Sequence, residues 1–154
     1  MPPVDLPGRL VSEALGTGLL VATVVGSGIM AEALTKDVAL QLLVNTLPTG
    51  AVLVVLISIF GPISGAHFNP AVSLVFAGQQ NLTLREAGLY VAAQAFGGIC
   101  GTMTAHLMFN LPMIELSLKV RTGSGQWFAE SVATFGLLIS IFGGLRFNRT
   151  AIPW

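Results

Sequence analysis

From Val38 to Ala77 the chain carries no Asp, Glu, Lys or Arg. Coiled into one helix, this stretch would run about 60 Å, twice the roughly 30 Å hydrocarbon core of a bilayer. It is too apolar for a soluble surface and too long for one crossing, so it must enter a membrane, break and turn. The breakers are Gly61-Pro62, Ser64-Gly65 and Asn69-Pro70. They predict a full span over about 39–61, an irregular stretch over 62–68 and a short helix near 70–77. Asn69 is placed to cap the short helix, Pro70 stands at its first position and Gly78 lies just past its end. Eight helical residues rise about 12 Å, less than half the hydrocarbon thickness.

The remaining sequence agrees with a membrane solvent. Of 154 residues, 53% are hydrophobic and 9% charged, against about 25% charged in a soluble domain. Seven basic residues balance seven acidic ones, which leaves no electrostatic footprint for nucleic acid. The opening MPPVDLPGRL has neither a basic n-region nor a small-residue cleavage site, so the first apolar run reads as a retained span, about 12–33. Thr83-Leu-Arg-Glu86 has capping-box spacing and opens a span over about 84–109. A polar loop with Lys119 and Arg121 follows. A fourth span runs over about 126–145, before a tail with Arg146 and Arg149 that stops at Trp154. The expected fold class is an all-α membrane protein, a helical bundle of four transmembrane helices plus one re-entrant half-helix.

Small residues recur every four positions in three spans: Gly18, Ala22 and Gly26; Ala93, Gly97 and Gly101; Gly136, Ser140 and Gly144. Such stripes read as packing faces on which helix backbones approach closely. A second pattern is an echo. Glu13, Thr17, Leu20 and Gly26 recur as Glu130, Thr134, Leu137 and Gly143, each 117 residues on. A carboxylate inside a span is costly and marks a function. The echo divides a single membrane domain, 1–154, into a first inverted repeat, 1–110, and the first helix, 126–145, of an incomplete second repeat.

Irregular backbone at membrane depth is tolerated only where protein buries it or where it lines a watery cavity. The stretch 62–68 offers free carbonyls and the start of the short helix offers free N–H groups. That helix end carries about half a positive charge and disfavours cations. Acceptors on one side and a positive tip on the other suit a path for polar, uncharged molecules.

SGAHFNPAV (64–72) resembles the first signature loop of the major intrinsic protein family, the aquaporins and aquaglyceroporins. The resemblance extends to the spacing around Glu13, to YVAAQAFGG (90–98), and through Glu130. It covers the first two-thirds of the family's sequence, so the chain reads as an incomplete one. The resemblance implies six spans and two half-helices in an inverted repeat, the half-helices meeting at mid-membrane. It makes Asn69 a pore asparagine that donates to the permeant, with Pro70 and Ala71 shaping the tip. The carbonyls of Gly65, Ala66, His67 and Phe68 take the place of an acceptor ladder. Glu13 takes the place of a buried carboxylate that accepts from the loop's N–H groups, and Glu130 would brace a second loop. Thr49, twenty residues before Asn69, falls at a selectivity-filter position. Its small side chain implies a constriction wide enough for glycerol-sized polyols or undissociated metalloid acids. The resemblance further implies a homo-oligomer, a tetramer.

Other readings attach to some of the same residues. His67 and His106 lie far apart in sequence with no Cys or carboxylate at ligand spacing, so no metal is expected, nor any cofactor. Cys100 reads as inert packing, and one cysteine forms no disulfide framework. Ser64 and His67 lack a neighbouring acid, which speaks against a hydrolase and any enzyme. Asn81-Leu-Thr83 matches a glycosylation acceptor, but Thr83 is already a cap. Loop charges set Arg9, Arg85, Arg146 and Arg149 against Lys36, Lys119 and Arg121, a slight bias toward a cytoplasmic N-terminus. The expected place is a cell membrane, bacterial and inner, crossed several times, with the lipid bilayer and a small neutral permeant as partners. The expected function is a channel for passive movement of water or small uncharged solutes. The alternatives are a non-conducting truncated subunit and, with Glu13 and Glu130 as a proton relay, a proton-coupled carrier.

Overall fold

A computed structural model describes residues 4–115, 120 and 122–147. The expected polar loop around Lys119 and Arg121, and the tail residues Arg149 and Trp154, lie outside the described residues. Five helices make up the described structure: α1 Leu6–Leu34, α2 Val38–Ser64, α3 Pro70–Gly78, α4 Leu84–Met108 and α5 Ser124–Phe147. The chain divides into two units, Met1–Ile114 and Glu115–Trp154, so α5 stands in a unit of its own. The all-helical architecture is the one the sequence predicts.

The starts of α1, α2 and α4 each have a local chemical reason. Asp5 caps α1 by accepting from the Gly8 N–H at 3.1 Å, with Pro7 in the first turn. That cap starts α1 at Leu6, earlier than the expected 12, because an aspartate followed by proline is a strong start even ahead of the apolar run. Asp37 caps α2, accepting from the N–H groups of Ala39 and Leu40 at 2.9 and 3.1 Å. Thr83 and Glu86 form the complete capping box at the head of α4.

Helix ends differ from expectation in two places. α2 does not stop at Gly61 but continues through Pro62 to Ser64. A proline costs a helix one N–H donor without ending it when neighbouring groups absorb the loss. The true stop is Gly65, at φ 90°, whose N–H reaches back to the Gly61 carbonyl at 2.9 Å. The irregular stretch therefore shrinks from 62–68 to 65–69. Gly78 belongs to α3 rather than lying past it. The left-handed turn beyond the helix is made by Gln80, at φ 63°.

In the first unit α1 packs against both α2 and α4, and α3 packs against α4. The buried face of α4 is one stripe: Ala87, Tyr90, Gln94, Gly97, Gly101 and Ala105. The small-residue stripes work there as expected. A methyl group on Gly97 would strike the Ala14 carbonyl, and one on Gly101 would strike the Gly18 carbonyl. The two backbones meet because no side chain separates them.

Helices α1, α2 and α5 are long and apolar enough to cross a membrane. α4 has the length, 25 residues, but is less apolar, because its stripe toward α1 holds Gln94 and glycines. Leu42, Leu47, Val54, Ile59, Phe96 and Ile99 are exposed, a surface suited to lipid rather than water. Cys100, read as inert packing, is exposed on α4.

Candidate functional site

The irregular stretch between α2 and α3 is short, and its backbone is held in an uncommon shape. Ala66 and Phe68 have φ of 48° and 46°, left-handed values that cost a residue with a β-carbon about 1–2 kcal/mol each. Something must hold them there, and the holder is Glu13 on α1. Its side chain is fully buried. Oε1 accepts from the His67 N–H at 3.0 Å and from the Ser64 hydroxyl at 2.6 Å. Oε2 accepts from the Phe68 N–H at 2.8 Å and from Gln94 Nε2 at 2.8 Å. Four donors around one carboxylate offset the cost of taking it out of water. They also settle the loop's polarity: its N–H groups turn inward to Glu13.

The side chains of the loop are seated as firmly. Phe68 is buried and its ring lies where any side chain on Gly16 would stand. It meets Phe60 edge-on, ring centres 6.0 Å apart. His67 is buried, with Nδ1 3.0 Å from the Ser73 hydroxyl. Its ring sits 4.5 Å from that of Phe76 and 5.3 Å from that of Tyr90. Gln94 Nε2 also donates to Ser73 at 3.0 Å. The histidine thus serves the brace, and among the described residues no cluster of three His, Cys, Asp or Glu side chains is placed to hold a metal. His106 sits elsewhere on α4, its Nδ1 2.9 Å from the Pro112 carbonyl.

Asn69 follows at the head of α3. Its Oδ1 accepts from the Ala71 N–H at 2.8 Å, the capping bond its position predicts. Pro70 fills the first helical position and is exposed, while Asn69 and Ala71 are half-buried. Among the described residues, the Asn69 amide nitrogen donates to none. The tip therefore offers the donors of Asn69 beside a stretch whose own N–H groups at 67 and 68 are already used.

Thr49 is not gathered here, and Glu130 belongs to the second unit. Thr49 lies on α2 fifteen residues before Ser64, a rise of about 22 Å, and its hydroxyl donates to the Asn45 carbonyl at 2.8 Å. Glu130 lies on α5, in the second unit, and is exposed.

Sequence reasoning assigns no role to Ser12, Asn45, Ser73, Tyr90 or Gln94, and considers Ser64 as a helix breaker and a nucleophile but not as a partner of Glu13. Ser12 donates to the Ser64 hydroxyl at 3.3 Å. Asn45 ties α2 to α1, donating to the Val24 carbonyl at 2.7 Å and to Ser27 at 3.1 Å. The one available signal was their type: polar side chains in otherwise apolar helices have partners.

Comparison with known proteins gives a consistent picture. The family model described as major intrinsic protein matches residues 3–152. Aquaglyceroporin AqpS of Rhizobium meliloti (strain 1021) is 63% identical over 150 residues, covering 97% of this chain and 64% of the relative. Nodulin-26 of Glycine max is 34% identical, covering 92% and 52%. The probable aquaporin NIP4-2 of Arabidopsis thaliana is 31% identical, covering 96% and 52%. The chain thus spans 64% of the first relative's length and about half that of the plant ones. A match along nearly all of its residues, with the Asn-Pro-Ala tip at the head of a half-helix, places the chain in the major intrinsic protein family.

Proposed function

We propose that this chain builds one side of a membrane channel through which water and small uncharged solutes, such as glycerol or undissociated metalloid acids, move passively. The observation that carries the reading is the braced loop. Glu13 takes the inward N–H groups of His67 and Phe68, which leaves the carbonyls of Gly65, Ala66, His67 and Phe68 as acceptors for a permeant. Asn69 supplies donors at the end of that row. A neutral hydroxylic molecule exchanges its hydration for such a set of groups at little cost, whereas a cation meets the positive end of α3. The name aquaglyceroporin on the relative at 63% identity supports water and glycerol as permeants.

In the same reading residues 1–110 form one repeat and α5 opens the next, with α4 crossing the membrane like α1 and α2. The N-terminus lies on the cytoplasmic side of a bacterial inner membrane, the assembly is a homo-tetramer, and Thr49 forms one wall of the constriction. The test is stopped-flow permeation in liposomes holding the protein expressed from its full reading frame. Water and glycerol should enter faster than into empty vesicles, whatever the pH gradient. Thr49→Phe should slow glycerol more than water. Flux that follows the pH gradient would make the protein a carrier, and flux no faster than lipid alone would refute the channel.

A further inference from the structure

The brace around Glu13 continues outward to the aqueous edge of the helices. Tyr90 is fully buried, and its hydroxyl donates to the Ser64 carbonyl at 2.9 Å. Ser64 is the last residue of α2, the point from which the loop departs. Its own hydroxyl donates to Glu13 and accepts from the Ala66 N–H at 3.1 Å. The phenol therefore grips the loop at its root. A phenylalanine would fill the same volume, so packing alone does not explain the oxygen.

Tyr90 is in turn held from outside. The Arg9 guanidinium lies 6.0 Å from the centre of its ring, within the range of a cation–π contact. Arg9 also pairs with Glu86. Glu86 is fixed by the capping box, its Oε2 accepting from both the N–H and the hydroxyl of Thr83 at 2.9 Å. The side chains of Arg9 and Glu86 are 24% and 23% exposed, so this end of the series touches water. One continuous series runs Glu86, Arg9, Tyr90, Ser64, loop.

We propose that Tyr90 is a positioning residue that fixes the re-entrant loop through the Ser64 carbonyl, and that the Arg9–Glu86 pair fixes Tyr90 from the aqueous edge. The proposal rests on reading 65–69 as the permeant path, but its test needs no transport. Residue-resolved amide hydrogen exchange is measured on the protein in micelles. In Tyr90→Phe the amides of Ala66, His67 and Phe68 should exchange about fivefold faster, the worth of one neutral hydrogen bond. The amides of mid-α1 and mid-α4 should keep their rates. Arg9→Gln should accelerate the same loop amides about twofold, and Arg9→Lys, which keeps the charge, should restore them. Unchanged loop rates in Tyr90→Phe would overturn the proposal. So would equal acceleration along the whole chain, which marks a core filler rather than a positioning group. Should Tyr90→Phe not fold, the Arg9→Gln and Arg9→Lys pair reads the same amides, and loop rates alike in both would overturn it. A liposome assay without flux would refute the channel and leave these rates standing.

Discussion

α1 and α5 share a pattern of sequence and differ in everything around it. Each carries a glutamate, then a threonine four residues on, a leucine seven on and a glycine thirteen on. In α1 the glutamate is fully buried and receives four donors, three from the 64–68 segment and one from α4. In α5 it is exposed. The same is true of the small residues: Gly97 and Gly101 of α4 lie against the backbone of α1, whereas a methyl on Gly136 would meet nothing within 4 Å. A helix does not by itself partner its carboxylate. The loop that turns back onto it does.

Two matched pairs of substitutions and one single change break or sharpen this contrast. Glu13→Leu takes the acceptor from two N–H groups, a hydroxyl and one of the two Gln94 amide hydrogens in a buried site, and should cost about 3 kcal/mol or more. Glu130→Leu should change stability by less than about 0.5 kcal/mol. Detergent-titration unfolding of the two variants measures both, and equal losses would dissolve the contrast. Gly101→Val forces α1 and α4 apart where their backbones touch, for about 2 kcal/mol. Gly136→Val should cost nothing by the same assay, and a comparable loss there would show that α5 is packed as tightly as α4. Asn69→Ala should cost less than either change at the packed sites, about 1 kcal/mol for the lost cap. It separates cap from brace: circular dichroism should show fraying at α3 while the Glu13 bonds to His67 and Phe68 persist by hydrogen exchange. Loss of protection at 67 and 68 would mean that cap and brace are one unit.

The breaks in the charge-free stretch were legible because the signals are local. Asn69-Pro70 starts α3 and Thr83 with Glu86 starts α4, each through residues no more than three apart. The stop of α2 was misplaced for the converse reason. Proline marks a lost donor, but whether a helix survives it depends on what surrounds it, and Gly61-Pro62 survives while Gly65 does not. The contacts of Ser64, Tyr90, Gln94 and Asn45 were beyond a linear reading. Their partners on other helices stand 18 to 81 residues away, and a lone polar residue in an apolar helix does not say which neighbour it will face. Resemblance to the major intrinsic proteins brought Glu13 to the loop; residue spacing alone gave only its cost in lipid.

The distance between Glu13 and its donors also has a consequence in time. At about 5–20 residues per second of synthesis, the 81 residues between Glu13 and Gln94 take about 4–16 s to make. Throughout that interval Glu13 exists and Gln94 does not. A carboxylate placed in lipid alone costs about 3 kcal/mol, and the first helix to emerge carries that cost unrelieved. Its secure residence there is conferred retroactively, by segments the ribosome has yet to deliver.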